Sequence, residues 1–290
     1  NYNINDIDSY FILAFISFTV FILFGSIEII KKLKKDSLLY NSALILIPVI
    51  QLVLNFSEIN QSGNYSYQDY TKNVLNSVEK NGIILSYQWD YFISQSYYFQ
   101  YVENYRTDVK IIDKELLRRS WYYNQMKNNF PELFSNMGAE INGFLEALKP
   151  FERDENFDPQ KLEYFYRAIM SKIITDNIDK HAIYLGPEMV ENEIQKGEFV
   201  LPAGYTLVPC GLLYKVTNDS NYCKQNLNKI NIRFFKNEDK YIANMKNIVF
   251  NMMVSRAMYE NNFGNSTKGI INNIKEIMPD KQIPPQLIIQ

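Results

Sequence analysis

Two apolar runs separated by a lysine-rich turn constrain this chain more than any other feature. Residues 10–30 are apolar apart from Ser17, Thr19, Ser26 and Glu28, and a second apolar run covers residues 38–56. A helix crosses a hydrocarbon core with roughly 17–25 such residues. Residues 1–56 are therefore predicted to hold two transmembrane helices, 10–30 and 38–56. Lys31, Lys32, Lys34 and Lys35 lie between them, and lysine beside a short loop marks the cytoplasmic side. The expected product is an integral protein of the cytoplasmic or inner membrane, with lipid as a partner and residues 57–290 extracytoplasmic. Glu28 is close enough to the lysines for its carboxylate to reach the interface. The second run carries Asn41, Ser42, Pro48, Gln51 and Asn55, so a buried or interfacial helix is the competing reading. A proline and polar groups in a membrane helix call for neighbouring helices to satisfy the backbone. The N-terminus lacks the basic n-region and small-residue cleavage site of a signal peptide. Because the chain begins at Asn1, it is expected to be the tail of a longer protein.

The net charge is −2, with no basic stretch outside the turn, which argues against a nucleic-acid partner. Cys210 and Cys223 are the only cysteines. They could pair across a short loop or remain two thiols, and no second pair completes a zinc site. His181 is the only histidine and reads as structural, so no metal site is expected.

The outer region alternates strands and helices. Residues 67–79 have helical spacing, with Lys80, Asn81 and Gly82 as a stop signal. Residues 83–86 read as a buried strand. Asp90 is placed to cap an aromatic helix reaching Glu103, and 109–112 is a second strand. Asp113 caps a helix over 114–128. This is the unit of a parallel sheet with right-handed crossovers. Helices are expected over 137–148 and over 159–177, the latter capped by Asp158, with a charged connection at 149–158. A third strand covers 182–185 and leads through Gly186, Pro187 and Glu188 into a short helix. The β-prone segments 205–208 and 211–216 extend the sheet as an antiparallel edge. Residues 239–262 and 266–277 form a terminal helical hairpin with Ala257 and Gly269 as small packing positions. It resembles a tetratricopeptide (TPR) unit, and a plain hairpin reads equally well. The expected architecture is α/β: a transmembrane hairpin (1–56), an extracytoplasmic α/β domain with a parallel or mixed sheet (57–235) and a TPR-like helical hairpin (236–290).

In open parallel sheets, ligands bind beyond the carboxyl ends of the strands. Trp89 there could stack on a flat ligand face, Asp90 and Asp113 could accept hydrogen bonds from hydroxyls, and Arg118 or Arg119 could hold a phosphate or carboxylate. Each has a plain alternative: two helix caps, a packed tryptophan, a solvated helix face. Neither a G-x-G-x-x-G nor a P-loop follows the first strand, so no cofactor is expected.

Asp69, Tyr70, Asn73 and Leu75, the 83–85 strand, Val102, Glu103, Arg106, Asp108 and Val109, then Trp121, Tyr122, Gln125 and Met126, together with the 182–216 stretch, including Leu201, Pro202 and residues 211–214, form a recognisable series. In this series the chain resembles the outer region of bacterial multi-spanning proteins similar to the transmembrane protein O-mannosyltransferases, a family related to class C glycosyltransferases. The loop Ser86-Tyr87-Gln88-Trp89-Asp90 departs from the acidic loop of many members, and Thr107 replaces a usual proline. The resemblance covers only the back end of such a protein, whose acidic catalytic residues lie in an early outer loop, so it assigns no catalytic residue here. It implies the C-terminal part of a polytopic glycosyltransferase-like protein, acting on a lipid-linked sugar and an acceptor protein, with this part binding acceptor or partner. The alternatives are a membrane-anchored peptide- or glycan-binding module without enzymatic activity and, third, a hydrolase working at Asp90 and Asp113.

Overall fold

The computed structural model describes residues 10–32, 38–225 and 229–287. The chain divides into two compact units, one ending at Ser62 and one beginning at Gly63. The first contains α1 (Ile12–Lys32) and α2 (Leu38–Ile59). Within α1, the stretch Ile12–Ile29 has mean hydropathy 2.3 and no part of it is buried by protein. Among the described residues, it is the one helix long and apolar enough to cross a membrane. Ser17, Thr19 and Ser26 donate to the carbonyls of Leu13, Phe15 and Ile22 at 2.9, 2.8 and 2.7 Å, which satisfies their hydroxyls without water. Lys31 pairs with Glu28 at 2.9 Å, and Lys31 and Lys32 occupy the last turn, where the helix dipole favours cations. The second expected span is helical over Leu38–Ile59, and among the described residues its apolar stretch is Pro48–Ile59. Most of the basic turn, residues 33–37, lies outside the described residues.

The second unit is a mixed five-stranded sheet with helices on both faces. In chain order it comprises α3 (Ser66–Asn76), β1 (Ile83–Ser86), α4 (Ser94–Tyr101), β2 (Lys110–Asp113), α5 (Ser120–Asn129), α6 (Gly138–Glu152), α7 (Pro159–Thr175) and β3 (Ile183–Leu185). It continues with α8 (Pro187–Met189), β4 (Thr206–Cys210), β5 (Leu213–Thr217), α9 (Lys240–Asn262) and α10 (Lys268–Ile277). The strand order is β2-β1-β3-β5-β4. β2, β1 and β3 run parallel, with Leu85 opposite both Ile112 and Leu185. β5 pairs antiparallel with β3, and β4 closes the edge as a hairpin.

Strand alternation divides the core in two. Ile84, Ile111, Tyr184 and Leu213 face a core built with α3, α9 and α10. Ile83, Leu85, Ile112, Ile183, Leu185 and Val216 face the core of α5, α6 and α7. A sheet covered on both sides needs apolar residues at consecutive positions, which is why its strands read as short continuous apolar runs. Each such side chain contributes about 1.5–3 kcal/mol when fully buried.

Local departures from the sequence reading have identifiable causes. α3 ends at Asn76, and Asn81 takes the left-handed conformation (φ 60°) while Gly82 does not. Gly82 is needed for a different reason: a Cβ there would lie 2.5 Å from Val78 Cγ1 and 3.2 Å from the Ala182 carbonyl. The helix expected over 114–128 is broken. Asp113 Oδ1 accepts from the Glu115 and Leu116 amides at 2.8 and 3.2 Å, holding a single 3₁₀ turn, and Arg119 is extended before α5 begins. Asp90 is not a cap. The chain enters the next helix through a π-type turn at Trp89–Ile93, where the Ile93 amide reaches back to the Gln88 carbonyl at 2.8 Å, and no side-chain cap bond forms. The charged connection is shorter than expected because α6 carries Pro150 in its last turns and runs to Glu152. Asp158 caps α7 as expected, and Asp239 caps α9, which the sequence reading did not assign. Cys210 and Cys223 are free thiols. α9 packs on β4 and on the Trp89–Ile93 turn as well as on α10, so the hairpin buries its apolar face against the sheet layer.

Candidate functional site

The carboxyl ends of β1, β2 and β3 meet at one edge of the sheet, and a buried carboxylate joins two of them. Glu188 begins the helical segment after β3, is 4 % exposed, and accepts from Ser86 Oγ at 2.6 Å and the Tyr87 amide at 3.0 Å. Gly186 keeps this position open, since a Cβ there would overlap the Glu188 carboxylate. Burial pushes the Glu188 pKa up, against the pull of the Ser86 hydroxyl and the Tyr87 amide. The Tyr87 hydroxyl donates to the Glu188 carbonyl at 3.3 Å and accepts from Asn192 at 3.0 Å.

Beyond β2, Lys114 is 5 % exposed. Its ammonium pairs with Glu193 and, at 2.7 Å, with Glu115, and lies 4.8 Å from the Tyr87 ring centroid. Burial opposes its charge, and the hydrogen bonds it donates to Glu115 and Glu193 more than offset that, so its pKa is raised. The neighbouring Asp113 is also buried, and burial raises its pKa despite the two amides it accepts from. Arg118 stacks 3.8 Å from the Tyr166 ring centroid and pairs with Glu163 at 3.1 Å. Tyr166 in turn donates to the Lys114 carbonyl at 3.1 Å. A cleft of about 200 Å³ opens between α7 and the 193–199 segment, with Lys114, Arg118, Tyr166, Arg167, Glu193 and Phe199 in its wall. Its cations alternate with carboxylates. It therefore offers donors and acceptors side by side, which suits a polar, uncharged ligand surface better than a free ion.

Of the residues singled out in the sequence, Arg118 lines the cleft, and Asp113 is buried at the end of β2 and outside the lining. Trp89 is 49 % exposed, packs edge-on against Tyr97 at 6.1 Å, and lies outside the cleft lining. Asp90 and Arg119 are exposed and also outside it. Glu193 and Tyr166 carry no local signal, whereas Glu188 was visible as the first acidic residue after the β3 turn. Among the described residues, no group of His, Cys, Asp and Glu side chains is placed to hold a metal. His181 Nδ1 sits 2.9 Å from the Asn81 carbonyl.

The series of residues that carries the family resemblance is mostly scaffold. Arg106 takes the left-handed conformation (φ 49°), and its guanidinium donates to the carbonyls of Leu75 and Val78 at 2.7 and 3.0 Å, closing the end of α3. Asp108 holds that guanidinium at 2.8 Å, and Arg106 brings its carboxyl down to about 2. The Asp113 amide donates to the Tyr122 hydroxyl at 3.0 Å, anchoring α5 to the end of β2. No solved structure matches the chain. Residues 67–134 match the family described as TMEM260-associated domain 2. That match spans α3 to the residues after α5, including β1, β2 and the Arg106–Asp108 pair.

Proposed function

We propose that this chain is the outer, non-catalytic part of a membrane glycosyltransferase-like protein related to the protein O-mannosyltransferases. The first unit anchors it in the membrane through α1, and the α/β unit faces the extracytoplasmic side. There it holds an acceptor protein or a partner of the transferase, with the strand-end cleft as a contact point. Sugar transfer from a lipid-linked donor takes place elsewhere in the parent protein. The match of residues 67–134 to TMEM260-associated domain 2 carries this reading, and the bare apolar surface of α1 supports the anchoring.

Two measurements test it. The full chain, purified in detergent and given a polyprenyl-phosphate sugar and candidate acceptor proteins, is expected to bind acceptor without turnover. Transfer by this chain alone overturns the division of labour. For topology, Cys223 is the better probe because Cys210 is buried and Cys223 is half-buried. In intact cells a membrane-impermeant maleimide should label Cys223. Labelling only after the membrane is opened would place the α/β unit on the inner side.

A further inference from the structure

Residues 229–235 cross the surface of the second unit as a strap without regular secondary structure, and side chains hold its main chain. Asn73 of α3 pairs with both polar groups of Asn231. Its Nδ2 donates to the Asn231 carbonyl at 2.9 Å, and its Oδ1 accepts the Asn231 amide at 3.3 Å. Asn273 of α10 does the same for Ile230, accepting its amide at 2.9 Å and donating to its carbonyl at 2.8 Å. Asp69 accepts the Arg233 amide at 2.9 Å and takes its guanidinium with two bonds at 2.8 Å. Ser66 Oγ accepts the Phe235 amide at 2.8 Å.

Consecutive strap residues are thus gripped from two different helices by carboxamides, which present one donor and one acceptor together. Such contacts read a main chain and not its sequence. Sequence enters through side chains alternating with period two, as in an extended segment. Ile230 and Ile232 are buried in the core with α3, α9 and α10, while Asn231 and Arg233 are exposed. Open space adjoins the strap: about 50 Å³ beside Ile230 and Asn273, and about 520 Å³ between Phe234 and Phe235 of the strap on one side and Lys246, Ile277, Pro279 and Lys281 on the other.

We propose that this groove is a binding site for an extended polypeptide segment, which the strap fills in cis and which a partner segment takes in exchange. The partner chemistry follows from the contacts: apolar, polar, apolar, then arginine, with the carboxylate of Asp69 meeting the arginine. The inference is independent of the strand-end cleft and of any relation to a glycosyltransferase.

The probe is a fluorescein-labelled peptide of residues 229–236, titrated by anisotropy into the full chain in detergent micelles. The variant Ile230→Asn with Ile232→Asn loosens the strap's own anchors and leaves Asn73, Asn273 and Asp69 in place. It should bind the peptide at least tenfold more tightly than the wild type, and adding Asn73→Ala and Asn273→Ala should remove that gain. A folded variant that does not bind the peptide overturns the proposal. If the variant does not fold, hydrogen exchange of the wild-type Ile230 and Asn231 amides decides. Exchange through a local opening, faster than global unfolding allows, is the expected result. Exchange only by global unfolding makes the strap a fixed part of the core and refutes exchange.

Discussion

At the residue scale, opposite pKa shifts separate two carboxylates. Burial raises the pKa of Glu188, so the folded state binds its proton more tightly than the unfolded chain does. Its contribution to stability is complete below the ordinary carboxylate range. It is lost as pH rises through the raised native value, at about 1.4 kcal/mol per unit of separation. Glu188→Gln keeps an acceptor for Ser86 and Tyr87 and removes the titration. Relative to wild type, its melting temperature should therefore improve between pH 4.5 and 8, and a difference that does not vary with pH would refute the assignment. Asp108 behaves in the opposite way, because Arg106 lowers its pKa to about 2. Its contribution is present above the ordinary carboxylate range and fades as pH falls towards 2. Asp108→Asn should cost about 1 kcal/mol at pH 7, a modest figure because the pair is partly solvated, and the deficit should shrink at pH 3 in denaturant titrations. The sequence marked Arg106 and Asp108 through a resemblance, but it could not show that they close α3. That role depends on a left-handed backbone at Arg106 and on carbonyls about thirty residues earlier in the chain.

At the element scale, aspartates before helices proved unequal. Asp158 accepts from the Gln160 and Lys161 amides at 2.9 and 3.1 Å, so Asp158→Ala should lower stability by about 1 kcal/mol. Asp90 makes no cap bond, and Asp90→Ala should stay within about 0.5 kcal/mol of wild type, as ordinary surface substitutions do. A comparable loss at both positions in urea titrations would contradict the π-type entry into α4. Capping was legible at Asp158 because a cap needs only the next three residues. At Asp90 and after Asp113 the same local signal competed with tertiary demands. The backbone between β1 and α4 is wound to bury Tyr91, Phe92 and Ile93 together, and Lys114 is drawn inward to Glu193.

At the scale of the whole molecule, the chain joins an apolar unit to a sheet domain with its own two-sided core. A protein beginning at Gly63 should keep the α/β circular-dichroism signature of the full chain, unfold cooperatively and leave the membrane fraction. Residues 10–62 fused to a reporter should remain in the membrane fraction after a carbonate wash. An unfolded or membrane-bound product beginning at Gly63 would show that the units are not independent. The strand-end cleft and the strap groove are both built from segments distant in sequence. Variants in one, such as Arg118→Ala, should therefore leave peptide exchange in the other unchanged.

Readable from local sequence alone were the apolar α1, the positions of β1, β2 and β3, the antiparallel edge, and the cap of α7. Each of these follows from hydrophobic period, turn chemistry or capping within a few residues, and such signals survive without knowledge of the rest of the chain. Only the tertiary structure decided the partners. Glu188 meets Ser86 across 102 positions, and Asn73 meets Asn231 across 158. Periodicity records how deeply a side chain is buried and on which face, but not which distant group it meets there. That choice is made when the layers pack, where an unpaired buried polar group costs about 1–3 kcal/mol and a single arrangement satisfies them together.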